Sequence, residues 1–172
     1  MFFSGSDCGD QDFVSIEKLD NLQDVVPARV EVNATNLFVC RAKIDGATVP
    51  GAGVIISRGG SGRGITGICS IPYEGKEHKL ERGFQVLVNP QNGANLHWAP
   101  KSNCAGEVTK NTLPVGRTVD YEIFYVARCQ VDIHGVTVDV VGRVAESAPE
   151  VAWYALEGGE FKCSDYEILT CG

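Results

Sequence analysis

The chain contains one stretch of sequence twice, in diverged form, because residues 27–88 return as residues 114–170. The best-preserved part is Phe38-Val39-Cys40-Arg41-Ala42, which returns as Tyr125-Val126-Ala127-Arg128-Cys129. The offset between the two arginines is 128 − 41 = 87 residues. A tandem repeat of this length indicates two related units that share one core.

Both copies also close on a similar segment, Phe84-Gln85-Val86-Leu87 in the first and Tyr166-Glu167-Ile168-Leu169 in the second. At 172 residues, the chain has the length of one compact domain or of two small halves packed together. We therefore predict a first repeat at residues 11–90 and a second at residues 91–172, packed as one compact unit.

Apolar and polar residues alternate along the repeated segments, as they do in β-strands with two different faces. In the first copy, Phe38, Cys40 and Ala42 lie on one predicted face, and Arg41 and Lys43 lie on the other. Turn-forming residues separate these segments, and helical periodicity is scarce. The pattern predicts an all-β fold with antiparallel sheets, in which an internal pseudo-two-fold relates the two repeats.

The composition narrows the classes of function. A net charge of −7 argues against nucleic-acid binding, which needs clustered Lys and Arg. No apolar run approaches the roughly 20 residues of a membrane-spanning helix. The first residues, Met1-Phe2-Phe3-Ser4, lack the basic and apolar regions of a secretory signal. We therefore expect a cytoplasmic protein, with secretion by a non-classical route left open.

The seven cysteines are an odd number, so at least one is unpaired or pairs between chains. Cys40 aligns with Ala127, and Cys129 aligns with Ala42, as if each cysteine were a small buried apolar residue. This pattern predicts mostly reduced thiols. The sequence leaves open whether a disulfide forms among the three cysteines near the termini, which are Cys8, Cys163 and Cys171.

No motif in the sequence indicates catalysis. His78, His97 and His134 are scattered without metal-binding spacing, and nucleophile motifs such as G-x-S-x-G are missing. We therefore expect no catalytic residue, no metal site and no cofactor, and we expect a protein that is not an enzyme.

Two kinds of charged residue recur at matching positions: Arg41 with Arg128, and Glu77 with Glu160. An arginine on an otherwise apolar strand usually has a carboxylate partner. We predict a structural Arg–Glu pair in each copy, Arg41 with Glu77 and Arg128 with Glu160. Contact of the arginines with a ligand is the alternative.

Taken together, these segments resemble the DM-nine repeat family, whose tandem pairs occur in invertebrate mannose-binding lectins and in the lectin module of natterin-type proteins. The first copy is the closer match over Phe38-Val39-Cys40-Arg41-Ala42, Pro50-Gly51, Tyr73-Glu74-Gly75-Lys76-Glu77-His78 and Phe84-Gln85-Val86-Leu87. The second copy keeps Tyr125-Val126-Ala127-Arg128, Val141-Gly142-Arg143 and Tyr166-Glu167-Ile168-Leu169.

The resemblance implies a sugar site made by an aspartate before the aromatic-Val-x-Arg strand and by the lysine of Pro-Gly-Lys. In the first copy Ala52 replaces that lysine, and Glu31 and Asn33 occupy the aspartate region. In the second copy Asp120 lies in the corresponding turn and Arg143 follows Gly142, with Tyr121 as a neighbouring contact. Carboxylates and cations make strong hydrogen bonds to sugar hydroxyls.

The resemblance therefore implies a carbohydrate-binding lectin that recognises mannose-type glycans in invertebrate innate immunity. Such a lectin gains avidity as a homo-oligomer. The alternative is a module for protein–protein interaction or self-assembly whose sugar site has decayed. The alanine at position 52 and the odd number of cysteines favour this alternative.

Overall fold

A computed structural model describes residues 11–28, 37–57, 64–100 and 111–172. The fold is all-β, as predicted, and every pairing between its strands is antiparallel. The strands are β1 (Asp12–Ser15), β2 (Leu37–Ile44), β3 (Ala47–Ser57), β4 (Thr66–Tyr73), β5 (Lys76–Leu80), β6 (Gln85–Val88), β7 (Leu96–Pro100), β8 (Pro114–Arg117), β9 (Ile123–Ile133), β10 (Val136–Ala145), β11 (Ala148–Leu156), β12 (Gly159–Cys163) and β13 (Glu167–Cys171).

Helical structure is confined to two short 3-10 segments, Ile16–Lys18 and Pro90–Asn92, within the described ranges. No helix among these residues is long and apolar enough to cross a membrane.

The strands form one hydrogen-bonded sheet in the order β1-β6-β2-β3-β4-β5-β12-β11-β10-β9-β13-β7, with β8 beside β3 and β9. The first repeat occupies one half of this order and the second repeat the other. From the centre outwards, β5, β4, β3, β2, β6 and β1 match β12, β11, β10, β9, β13 and β7. The halves join where Lys76 on β5 pairs with Gly159 on β12, and again where Thr48 on β3 pairs with Arg117 on β8. The pseudo-two-fold itself stays a prediction.

The alternation predicted for β2 is present, and both faces of the strand are buried over its first half. Phe38 and Cys40 face a cluster made almost entirely of first-repeat residues. Leu37 and Val39 face a second cluster, which we call the shared core. It consists of Val26, Ala28, Leu37, Val39, Leu87, Leu113, Val115, Val126, Val141 and Leu169. Both repeats therefore contribute to one apolar interior.

The cysteines differ from the prediction of mostly reduced thiols. Cys40 on β2 and Cys69 on β4 form a disulfide, and Cys171 is also disulfide-bonded. Cys129 and Cys163 are free and buried. Cys40 is fully buried, as a small apolar residue would be. Its alignment with Ala127 does not predict the disulfide to β4, because β4 lies two strands away from β2 in the sheet.

Candidate functional site

A cleft of about 630 Å³, which we call the first cleft, opens beside β2 and β8. Its wall includes six residues on which the chemistry depends: Arg41, Lys43, Thr48, Gln85, Gly116 and Arg117.

Alternation along β2 explains why charged side chains line this cleft. Val39 lies in the shared core, and the next residues on the same face of the strand are Arg41 and Lys43. Lys43 is paired with Thr48 on β3, and Thr48 is paired in turn with Arg117 on β8. Residues directly opposite on neighbouring strands are side-by-side neighbours. The two cations therefore flank the hydroxyl of Thr48.

Gly116 allows β8 to approach β3 closely. A Cβ atom at this position would overlap the carbonyl oxygen of Thr48, so only glycine fits without a shift of the backbone. This close approach holds Arg117 at the wall of the cleft.

Arg41 lines the cleft and donates its hydrogen bonds to neutral groups. Its Nε donates to Gln85 Oε1 at 2.9 Å, and its Nη1 donates to the carbonyl oxygen of Val115 at 3.0 Å. The guanidinium carbon is 3.7 Å from the centre of the Phe13 ring. Burial lowers the pKa of Arg41, and the nearby carboxylate of Asp12 opposes that shift. Within the described ranges Arg41 forms no ion pair.

The second repeat has a matching cleft of about 510 Å³, which we call the second cleft, with Arg128 in the position of Arg41. Here Arg128 Nε forms an ion pair with Glu167 Oε1 at 3.0 Å, and its guanidinium lies over Trp98. Asp165 also lines the second cleft. The two clefts therefore share an arginine over an aromatic ring and differ in the charge that surrounds it.

The predicted pairs of Arg41 with Glu77 and of Arg128 with Glu160 are wrong. The strand register places Gln85 opposite Arg41 and Glu167 opposite Arg128, and these residues are the arginines' partners. The glutamates lie instead on β5 and β12, which are separated from β2 and β9 by two other strands.

Glu77 and Glu160 have other partners, near the junction of the two repeats. Glu77 Oε1 accepts a hydrogen bond from the Gly158 amide at 3.0 Å and lies 3.8 Å from Lys79 Nζ. Glu160 Oε1 forms an ion pair with Arg143 Nη2 at 3.0 Å.

Arg143 is a buried structural cation, with a side chain only 13% exposed. Besides Glu160, it bonds the carbonyl oxygen of Pro72 through Nε at 3.0 Å. Its guanidinium also lies near the rings of Phe124 and Trp153. The hydrogen bonds found for Arg143 in the described part of the chain go to Pro72 and Glu160, not to Asp120.

Asp120 and Tyr121 lie in the exposed turn between β8 and β9. The amide of Asp120 donates to Thr118 Oγ1 at 3.2 Å. Tyr121 has a positive φ of 68° and is 74% exposed, which makes its ring the most exposed large apolar surface described. The cation beside the ring is Arg117, with its guanidinium 5.3 Å from the ring centre.

Asp120 and Tyr121 are residues that the sequence predicts, whereas Arg117 is not. The structure brings these residues together because β8 leads directly into the turn and pairs with β9 immediately after it. The sequence did contain a signal for Arg117, because this arginine ends a short strand just before the turn. Arg117 is not part of a family motif, however.

Comparison with protein-family models gives a match to the DM9 repeat over residues 31–140, which is more than half of the chain. The chain belongs to the DM9 repeat family. This confirms the resemblance drawn from the repeated segments.

Among solved structures, the nematode sperm cell motility protein MFP2B has a similar fold, with a TM-score of 0.61 and 17% sequence identity. The match covers 94% of this DM9 chain and 43% of the MFP2B chain, so this chain spans less than half the length of that protein. No curated protein matches the sequence.

The DM9 positions implied for sugar binding have different surroundings in the two copies. In the first copy, Ala52 is half-buried and offers no charge, and Glu31 and Asn33 lie outside the described residues. In the second copy, Asp120 is exposed, whereas Arg143 is held by Glu160. No cluster of three or more potential metal ligands is found within the described ranges.

Proposed function

We propose that this DM9 protein is a carbohydrate-binding protein, which acts by binding without chemistry. The observation that carries the proposal is the 74% exposed ring of Tyr121 with Arg117 beside it, since Arg117 also lines the first cleft. A flat aromatic ring offers an apolar face to the C–H groups of a sugar, and it loses little conformational entropy on binding.

The polar groups around Tyr121 have the chemistry that a sugar needs. Asp120 supplies an exposed carboxylate, which accepts hydrogen bonds from hydroxyl groups, and Arg117 supplies donors. Pockets for small ligands combine an apolar surface with a few placed polar groups, and a volume of about 630 Å³ lies within their usual range.

Mannose-type specificity and a role in innate immunity are supported by the family resemblance. The geometry supports the wider proposal of glycan binding, in which Arg117 takes the cationic role that the resemblance gave to Arg143. Homo-oligomerisation would add avidity to weak binding at this site.

The test is a glycan array with purified wild-type protein beside Tyr121→Ala. We expect the variant to lose about tenfold in affinity, since an aromatic contact and its buried area are together worth roughly 1–2 kcal/mol. Phe161→Ala is the matched control, because Phe161 is a partly exposed aromatic residue on β12, outside the cleft. Silence of the wild type, or equal binding by both variants, would contradict the proposal.

A second candidate function is protein–protein interaction or self-assembly. Val54 and Ile56 are 39% and 64% exposed near the end of β3, so two large apolar side chains close together in sequence are open to solvent. MFP2B is named as a motility protein, and that name describes that protein alone. Light scattering of the wild type and of Ile56→Ser tests this candidate. A monomer in both would count against self-assembly.

A further inference from the structure

We infer that the first cleft selects glycans that carry an acidic group, either a carboxylate or a sulfate ester. This inference rests on the proposed function and deepens it, because it names the class of sugar. The three charged residues among the described lining of the cleft are all cations: Arg41, Lys43 and Arg117.

The comparison between the two clefts shows what is missing from the first. In the second cleft, Glu167 neutralises Arg128, and Asp165 adds another carboxylate. In the first cleft, the residue in the position of Glu167 is the uncharged Gln85. Of these two half-buried arginines, Arg128 therefore has a carboxylate as its direct partner, whereas Arg41 has a neutral amide and a carboxylate only nearby, that of Asp12.

Arg41 gains from an anion because its side chain is half-buried and therefore already partly removed from water. A desolvated cation attracts an anion more strongly than one in bulk water, because the surrounding dielectric constant is lower. An arginine fork matches a carboxylate or sulfate in shape, and Lys43 adds a point charge. The hydroxyl of Thr48 lies between Lys43 and Arg117 as a further donor.

Arg117 connects the first cleft with the exposed Tyr121 ring. Its guanidinium contacts the Tyr121 ring and also lines the cleft. A sugar ring that stacks on Tyr121 would therefore direct an acidic substituent towards the cations. This arrangement favours an acidic sugar over an isolated inorganic anion.

Because the net charge of the protein is negative, binding of acidic glycans requires a local cluster of cations. At −7, the protein as a whole repels polyanions, so a non-specific attraction would not account for retention on acidic glycans in the experiment below. Binding must come from a defined cluster of cations, and single substitutions within that cluster should be measurable.

The experiment compares retention on neutral mannan, on heparin as a sulfated glycan, and on polygalacturonate as a uronate. We expect retention on at least one acidic polymer and a decrease of retention with salt. Lys43→Gln and Arg117→Gln should each lose about tenfold or more, because a charge-assisted bond is worth roughly 1.5–3 kcal/mol. Lys76→Gln, an exposed lysine on β5, is the matched control and should bind as the wild type does.

A reciprocal variant tests the role of the missing counterion. Gln85→Glu gives Arg41 the partner that Arg128 has, so the variant should fold with an unchanged or raised Tm and lose affinity for acidic glycans. Because folding is monitored separately, a loss of binding in a stable variant points to the charge of the cleft. Undiminished binding by Gln85→Glu would overturn the inference.

The remaining outcomes separate the two proposals. Retention on mannan equal to that on the acidic polymers, and unaffected by Lys43→Gln, would overturn the inference and leave glycan binding standing. A Tm shift with inorganic sulfate but no retention on any glycan would overturn the proposed function and leave only an anion site. An equal loss in Lys76→Gln would show a general charge effect and overturn the assignment to this cleft.

Discussion

At the scale of single residues, burial decides what a charged side chain does. Arg143 occupies the position from which the family resemblance predicts a contact with sugar, yet its guanidinium is bonded to Glu160 and to the Pro72 carbonyl. Pro72 belongs to the first repeat and Glu160 to the second. Arg143 therefore stabilises the contact between the two repeats. Arg117, which carries no family motif, is the cation beside the exposed Tyr121 ring.

Arg143→Met should lower the free energy of unfolding by about 3–5 kcal/mol, because Glu160 would remain buried without its partner. The Glu160 side chain is 5% exposed, and its Oε2 already has no hydrogen-bond partner within the described ranges. Urea denaturation measures the change. The double variant Arg143→Met/Glu160→Leu should recover most of the loss, since it removes both charges. A loss below about 1 kcal/mol in the single variant would contradict a structural role.

The buried thiol of Cys129 predicts a loss of stability at alkaline pH. Burial raises the pKa of Cys129, and a hydrogen bond with Cys163 adds to the shift. The thiol stays protonated in the fold, whereas in the unfolded chain it ionises near pH 8.5. The contribution of the protonated Cys129 thiol to the free energy of unfolding is therefore complete below about pH 8.5 and decreases as pH rises above that value.

We expect urea unfolding between pH 7 and pH 10 to show this decrease. Cys129→Ala should have a shallower slope, because the first repeat accommodates Ala42 at the same position. Buried Tyr125 and Tyr154, whose pKa values are raised by burial, would add to the decrease only at the upper end of the range. Identical slopes in the variant and the wild type would rule out the thiol as the cause.

At the scale of strands, the two repeats reach the same packing with different side chains. A disulfide between Cys40 and Cys69 connects β2 to β4 in the first repeat. The matching positions on β9 and β11 are Ala127 and Ala152, both almost completely buried. A cross-link and two small apolar residues therefore fill equivalent sites, and a cross-link adds stability by restricting the unfolded chain.

Close contact between β10 and β11 depends on Gly142. A Cβ atom there would overlap the Trp153 carbonyl oxygen on the neighbouring strand. We expect Gly142→Ala to cost about 3 kcal/mol or more, because the two backbones would have to separate. Thermal unfolding is the measurement, and Gly64→Ala is the control, since an added Cβ meets no atom within 4 Å there. Equal Tm values in the two variants would contradict this steric account.

At the scale of the whole molecule, the shared core makes the repeats interdependent. Five of its buried residues come from the first repeat, from Val26 to Leu87, and five from the second, from Leu113 to Leu169. Neither half alone can remove these side chains from water, although hydrophobic burial is the main favourable contribution to folding.

We expect residues 11–90 and 91–172, when expressed separately, to lack cooperative thermal unfolding. Mixing them should restore native near-ultraviolet circular dichroism, because the shared core can then assemble. The intact chain is the control. If either half unfolds cooperatively by itself, the two repeats are independent domains and the shared core is dispensable.

The sequence alone determined the repeat, the all-β class, the alternating faces of the main strands and the place of Asp120 in a turn. These features follow from short-range rules, because alternation along a strand and turn chemistry depend on neighbouring residues. The family followed as well, since its motifs lie within continuous segments.

Only the tertiary structure decided which groups meet. The partner of Arg41 is set by cross-strand register, so Gln85 bonds it and Glu77 does not. The disulfide from Cys40 and the burial of Arg143 likewise depend on strands that are distant in sequence. The charge of the first cleft arises for the same reason: three cations from β2 and β8 converge because the sheet places those strands together, and no local pattern encodes that distance.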